Sequence, residues 1–322
     1  MDLNDAAVRE KLLNKHPIIW RGYIVITPMI SNAYSMVREF IWLRRTGLFM
    51  YAQPRMGKTQ CALAIRQLIS AEFPEKYPLY HIADENRRLN FMRELVGSIG
   101  QIKGHHETYS VLLEKFIMHV RTELTSLDGN HFVLILDEMQ LVAMEHYNAL
   151  LIIHNRLNSY GISMTTIGFG QPSILDRRKL FVHSNAANLV ARFLSQAIEF
   201  EGCFSSDTLK KILFQYDHEK EYPADSGWSF TRFFLPLAFA AGFRLAAHHQ
   251  LIWQQLVLVV GDYFVERIPL EHVFRVIEYL LIYNRGNDSE KFELNEAVIR
   301  FAVEQSDIRE FLGSMQSNPG IG

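Results

Sequence analysis

The sequence predicts an α/β domain built on a parallel sheet, followed by an all-helical domain. Three observations predict it. Short apolar runs alternate with segments of helical spacing as far as Glu201. One run, LFMYAQ (48–53), leads through a turn containing Gly-Lys-Thr directly into a helical pattern. From Ser205 to about Ser314 nearly everything has helical periodicity. Parallel strands need crossover connections, and the alternation supplies them as helices on both faces of a sheet.

Each element follows from local pattern. Residues 30–45 place apolar groups at helical spacing and end before Gly47, a plausible stop. The strand 48–53 and the helix 59–69 come next, then a second apolar strand, PLYHIA (78–83). Helical segments at roughly 86–98 and 107–127 flank the loop SIGQIKGHHE. HFVLILDE (131–138) is a strongly apolar third strand ending in two carboxylates. A helix through about 158 leads to a fourth strand, ISMTTIGFG (162–170), and NLVARFLSQAIEFEG precedes and includes a fifth. In the helical half, EYPADSG (221–227) and NRGND (284–288) are breaks, and the tail QSNPGIG is expected to fray.

Composition narrows the function. At 322 residues, 48% hydrophobic and 21% charged, the chain has the profile of a soluble globular protein. A formal charge of −2 advertises no nucleic acid globally, so any basic surface must be local. Cys61 and Cys203 are far apart, without CxxC or Cys/His spacing; a disulfide framework or zinc site is not expected, and a reducing cytoplasm fits. The opening MDLNDAAVREKLLNKHP lacks the apolar core of a signal peptide. The most apolar stretch, 233–260, is interrupted by Arg244, His248, His249, Gln250, Gln254 and Gln255, so it reads as buried helices rather than a membrane span. His248-His249 reads as structural rather than metal-binding, and the aromatic clusters as core or partner-facing helices.

Chemistry concentrates in Ala52-Gln53-Pro54-Arg55-Met56-Gly57-Lys58-Thr59. A phosphate loop is Gly, four residues, then Gly-Lys-Ser/Thr, between strand and helix. Here alanine stands first, which is tolerable if its φ is negative. The backbone from Gln53 through Gln60 and the helix N-terminus would cradle phosphates. Lys58 would supply a point charge, and the Thr59 hydroxyl could ligate Mg2+. The plainer reading is a glycine-turned helix start with a surface lysine. VLILDE argues against that, because it puts Asp137 and Glu138 at the carboxyl end of a buried strand, where α/β folds hold ligands. Asp137 would hold Mg2+ through water, and Glu138 would orient or deprotonate an attacking water. Both motifs together point to nucleoside triphosphate binding.

Three further positions carry alternatives. Gln171 ends TTIGFGQ, where it could reach a γ-phosphate or be an ordinary loop glutamine. Arg192, in NLVARF, could reach a nucleotide held by a neighbouring subunit or form a surface charge pair. Arg244 lies in AAGFRLAAHH, read as an apolar helical segment; a buried arginine there needs an anionic partner, a phosphate or an acidic side chain.

This order of motifs resembles the AAA+ ATPases, and within them the initiator-like branch. IGFGQ resembles the strand end carrying the first sensor, which implies that role for Gln171. LVARF resembles the SRF segment of the arginine finger, which points to Arg192. GFRLA resembles the lid helix with the second sensor, which points to Arg244. The segment RGYIVITPMISNAYSMVREFIWLRRTGLFMYAQPRMGKT, with a short TP segment and a helix before the phosphate loop, and the strand end DEMQ are similar to the TnsC/TniB (MuB-like) transposition regulators. The likeness spans roughly residues 20–250. Two departures, Ala52 for the first loop glycine and Gln171 for the commoner sensor asparagine, could slow hydrolysis without preventing binding.

The resemblance implies an N-terminal arm (1–22), an AAA+ domain (23–203), a helical lid with C-terminal helices (204–315) and a flexible tail (316–322). It implies ATP and Mg2+ as ligands and a homo-oligomer, either a hexameric or heptameric ring or a helical filament. Such an assembly would sit on target duplex DNA, recruit a transposase with target-selection proteins, and disassemble on hydrolysis. A bacterial cytoplasmic protein with no membrane partner is expected. Lys103, His105 and His106 in GQIKGHHETYS, with Lys115 and Arg121 in the following helix, are the candidate DNA contacts. Each taken singly reads as an ordinary solvated side chain, and the DNA reading belongs to them as a group at the tip of an inserted helical pair. Two other readings share the phosphate loop: a nucleotide-switched scaffold of defence or secretion without DNA binding, and a small-molecule kinase, against which the Asp-Glu pair and the helical half argue.

Overall fold

The computed structural model describes residues 2–84, 91–101, 107–261, 265 and 267–316. Chain contacts divide it into two compact units. One comprises Ile30–Pro54 and Lys58–Phe200, the other Met1–Met29, Arg55–Gly57 and Glu201–Gly320.

The first unit is a parallel five-stranded sheet with helices around it. Its strands are β1 (Gly47–Tyr51), β2 (Lys76–Ile82), β3 (His131–Asp137), β4 (Ser163–Gly170) and β5 (Ala197–Glu199), in the order β2-β3-β4-β1-β5. All seven residues of β3 are buried, as its unbroken apolar run requires of a strand covered on both faces. Helices Lys58–Glu72, Phe91–Ser98, Tyr109–Ser126 and Met144–Ser159 supply the crossovers. Of the expected helix at 86–98, residues 86–90 lie outside the described part. The core joins Phe49, Leu79, Phe116, Phe132, Leu134 and Leu150.

One expected boundary is corrected. The helix before β1 runs Pro28–Trp42, and Gly47 does not stop it. The chain turns at Arg44, whose φ is 50°, while the Arg45 N–H returns to the Phe40 carbonyl at 2.9 Å. Arg44 holds this left-handed conformation with its side chain, donating to Ser163 Oγ at 2.9 Å and Asn130 Oδ1 at 2.8 Å. Gly47 is instead the first residue of β1. A Cβ there would stand 2.3 Å from the Arg192 carbonyl oxygen.

In the second unit, helices Ser206–His218, His249–Val260, Leu270–Asn284 and Glu296–Glu304 enclose Leu213, Tyr216, Ile252, Val273 and Ile277. The N-terminal residues pack with them through polar anchors. His16 caps the turn Pro17–Trp20, its Nδ1 accepting from the Ile18 N–H at 3.1 Å. Its ring lies among Tyr222, Phe230, Phe233 and Phe234, with centroids 4.6–4.7 Å away. Tyr23 donates to Glu278 at 2.9 Å and meets the Tyr216 hydroxyl at 2.6 Å.

The expected helix through Arg244 is also corrected. The helix Pro236–Ala240 ends, Gly242 adopts φ 104°, and Arg244 is extended (φ −138°, ψ 130°) before a short 3-10 turn, Leu245–His248. Helical spacing of apolar residues does not register a glycine that takes the left-handed region. The buried charge here is Asp217, 1% exposed, which accepts from the Leu245 and Ala246 N–H groups at 3.0 and 2.9 Å.

Burial makes the fold acid-sensitive. His16 and His131 are 0% and 1% exposed, and desolvation pushes each down to about 3. The unfolded chain takes up these protons below about pH 6.5, whereas the fold refuses them until near pH 3. The stabilisation is therefore complete above pH 6.5 and is lost as pH falls towards 3, at up to about 1.4 kcal/mol per pH unit for each histidine. Urea midpoints at pH 7, 6 and 5 should fall steadily. His16→Asn, which keeps an acceptor for the cap, should shallow the slope; a flat profile would remove the argument.

Candidate nucleotide-binding site

The sheet order places β4 between the loop strand β1 and the carboxylate strand β3. Tyr51 at the end of β1 pairs with Gly170 at the end of β4, and the Ala52 N–H donates to the Gly170 carbonyl at 3.2 Å. The phosphate loop, Asp137-Glu138 and Gln171 thus share the carboxyl edge of one sheet, about 5 Å apart per strand step.

The loop follows β1 through half-buried Gln53 and Pro54, exposed Arg55, buried Met56 and half-buried Gly57 (φ 96°). It enters the 15-residue helix Lys58–Glu72, whose first turn carries no acidic residue. That terminus presents unpaired N–H groups and the positive end of the dipole, with the Thr59 and Gln60 side chains exposed. Lys58 is 7% exposed and donates to the Ala52 and Gln53 carbonyls at 2.9 Å each. Its pKa is lowered chiefly by burial, against which Glu138 and Asp137 pull upward. A buried cation held by two neutral carbonyls and facing two carboxylates would gain by pairing with phosphate.

Arg55 belongs by packing to the helical unit. Its φ is 65°, and its carbonyl accepts from the Glu271 N–H at 3.1 Å. Its guanidinium lies 4.8 Å from the Phe311 ring and 3.4 Å from His272 Nε2. The C-terminal helices, to which the sequence assigned no role, therefore hold the crest of the loop.

Asp137 is 1% exposed. Its Oδ1 accepts from the Glu138 N–H and its Oδ2 from the Tyr80 hydroxyl, both at 2.9 Å. Burial, and then Asp137 itself, keeps Tyr80 protonated far above its ordinary pKa, so it is a fixed donor. Glu138 is half-buried and left-handed (φ 52°, ψ 39°), at the start of the 3-10 turn Met139–Leu141. Such a conformation costs a non-glycine residue about 1 kcal/mol or more and aims its side chain off the strand axis. Gln140 donates through Nε2 to Glu138 Oε2, and its Oε1 accepts from the Gln171 N–H at 3.0 Å.

Tyr80 and Gln140 were missed by sequence reasoning. DEMQ holds Gln140 two residues past Glu138, but nothing in the string says that its amide bridges two strand ends. Tyr80 could be found only by knowing that β2 lies beside β3.

Arg192 is half-buried on the helix Ala187–Phe193 and donates to the Asn188 carbonyl at 3.5 Å; its charge helps to lower the pKa of His154, which burial lowers first. The Arg192 carbonyl sits against Gly47, at the amino end of β1, so the structure does not gather this arginine with Lys58 and Asp137. Arg244 is half-buried, and its partners are neutral: the Phe239 and Phe243 carbonyls at 2.9 and 2.6 Å and the Phe239 ring at 3.6 Å. Carbonyl oxygens and a ring face thus surround the guanidinium within the protein. Lys103, His105 and His106 lie outside the described residues. Lys115 pairs with Glu107, and Arg121 stacks on Tyr160 at 4.0 Å.

The donor set fits a Mg2+–nucleotide. A hydroxyl (Thr59) and a carboxylate held as acceptor (Asp137) are hard oxygen ligands, and the lysine and helix terminus suit phosphate. Among the described residues, no helix is long and apolar enough to cross a membrane.

Residues 44–178, less than half of the chain, match the family model described as an AAA domain. No curated protein matches the chain significantly. Among solved structures, Drosophila ORC bound to DNA is similar at a TM-score of 0.51 and 11% identity, over 96% of this chain and 71% of that one. The Aeropyrum pernix ORC1 protein in complex with DNA gives 0.49 and 14%, over 86% of this chain. This chain spans 64% of that protein's length. Domain III of the Thermotoga maritima replication initiation protein DnaA gives 0.47 and 16%, over 90% and 96%. The chain has the P-loop AAA+ fold, a parallel five-stranded sheet with flanking helices.

Proposed function

We propose that this protein is an ATP-dependent regulator of DNA transposition. It assembles as a ring or filament on target duplex DNA, recruits a transposase, and disassembles when ATP is hydrolysed. The observation that carries the ATPase part is the common edge shared by Lys58, Asp137 and Glu138, with Lys58 buried and facing both carboxylates. The transposition part is supported by the likeness of residues 21–59 and of DEMQ to TnsC/TniB regulators.

In this reading Gln53 to Gln60 and Lys58 bind the triphosphate, and Thr59 and Asp137 hold Mg2+. The metal would neutralise phosphate charge. Glu138 takes a proton from water as the water oxygen bonds to the γ-phosphorus; the bond to the bridging oxygen breaks, giving ADP and phosphate. Gln171 senses the γ-phosphate, and Arg244 contributes to nucleotide binding. Arg192, at the amino end of its own sheet, acts on a neighbouring subunit's nucleotide, so assembly depends on ATP. DNA contact by Lys103, His105, His106, Lys115 and Arg121 adds up along a polymer despite a net charge of −2.

The test images the purified protein with duplex DNA under no nucleotide, ADP and a slowly hydrolysed ATP analogue. Assemblies are expected only with analogue and DNA together. Lys58→Ala removes the buried cation and should weaken ATP affinity by about a hundredfold or more, roughly 2.7 kcal/mol, abolishing assembly. Particles indifferent to DNA and nucleotide would overturn the proposal.

A further inference from the structure

We infer that Gln140 is a positioning residue that fixes the Glu138 carboxylate and ties it to the end of β4, where Gln171 lies. This rests on the reading of Glu138 as the group that activates water. Three observations support it independently of that reading.

First, Gln140 uses both ends of its amide: Nε2 donates to Glu138 Oε2, and Oε1 accepts from the Gln171 N–H at 3.0 Å. Only a side chain that donates and accepts can make this bridge. Second, β4 is built to admit it. A Cβ on Gly170 would stand 3.0 Å from Gln140 Oε1, and one on Gly168 would stand 2.1 Å from Met139 Sδ. The two glycines of IGFG thus leave room for the turn that follows Glu138. Third, Glu138 is left-handed on a short 3-10 turn, so its backbone alone does not fix the carboxylate. With Oε2 occupied by the amide, Oε1 is left to accept from water, and the direction of that acceptor is set by the bridge.

The bridge also passes information. Any shift of the Gln171 backbone on nucleotide binding pulls on Gln140 Oε1 and reorients the amide that holds Glu138. Gln140 therefore couples the presence of a γ-phosphate to the readiness of the base, without itself touching substrate.

The test compares wild type with Gln140→Met, which keeps length and loses the bridge, and Gln140→Glu. In each, affinity for a slowly hydrolysed ATP analogue is measured beside kcat. Gln140→Met should lower kcat about 10- to 100-fold with affinity within about twofold. Gln140→Glu has a signature that a merely structural role would not give. Ionised, it repels Glu138; protonated, it donates to Glu138 and still accepts from the Gln171 N–H. Its kcat, relative to wild type, should therefore rise as pH falls from 8 to 6. If Gln140→Met loses nucleotide binding through misfolding, the pH profile of Gln140→Glu decides alone. Wild-type kcat in both variants, or a pH profile for Gln140→Glu parallel to wild type, overturns the inference. A wild type that binds the analogue but hydrolyses no ATP fails the underlying ATPase reading instead.

Discussion

Glu138→Gln should leave nucleotide affinity within about twofold and cut ATP turnover by about a hundredfold or more. The amide keeps the shape of the side chain and an oxygen to accept from Gln140, so the turn at Met139–Leu141 should persist. What it loses is the capacity to take a proton from water. On the proposed reading, affinity rests on Lys58 and the helix terminus, which the substitution does not touch; the upward pull of Glu138 on the lysine's pKa disappears with its charge. Phosphate release measured beside binding of a fluorescent ATP analogue separates the two effects. Assemblies on DNA should become long-lived in ATP itself, as they are expected to be in the analogue. Turnover within threefold of wild type would remove Glu138 from its role.

Gly47→Ala should destabilise the fold by about 3 kcal/mol or more. The added Cβ would lie 2.3 Å from the Arg192 carbonyl oxygen and 3.1 Å from the Phe193 Cα. These are backbone atoms, so no rotamer change relieves the clash; β1 or the helix Ala187–Phe193 must move. Ser195 donates to the Gly47 carbonyl and Thr46 Oγ1 to the Ala191 carbonyl at 3.2 Å, which pins the same junction. Gly286→Ala is the control, because a Cβ there meets nothing within 4 Å. Urea unfolding of both variants should separate them by the full effect. Equal midpoints would show that the junction yields.

How far the sequence could be read follows from what each signal depends on. β3 was legible because a strand buried on both faces must be apolar throughout, and HFVLILD is. The loop and the Asp-Glu pair were legible because their chemistry lies in consecutive residues. Gly47 was legible as a glycine but not for its cause. A helix stop and a close approach both call for a missing Cβ, and only the tertiary contact with Arg192 distinguishes them. Arg44, a non-glycine in the left-handed region, gave no sequence signal because distant Ser163 and Asn130 hold it there. Arg244 misled through periodicity, since apolar spacing continues across Gly242 while the backbone does not. Tyr80 and Gln140 act through strand neighbours, and adjacency in a sheet is not written in either strand alone.

The strand order also sets a timetable. Among the described strands β1 pairs with β4 and β5, among the last parts of its unit to leave the ribosome. While β2 and β3 emerge, the glycine-lysine-threonine turn hangs from a strand with no partner. Contacts this distant in sequence form slowly, because a long loop must close before they repay it. A nascent chain shorter than about residue 200 therefore has no finished cradle for a nucleotide, and exposes an apolar strand edge for chaperones to cover. On the proposed reading, a nucleotide would favour folding at the final step, by binding the sheet once β4 and β5 have closed on either side of β1.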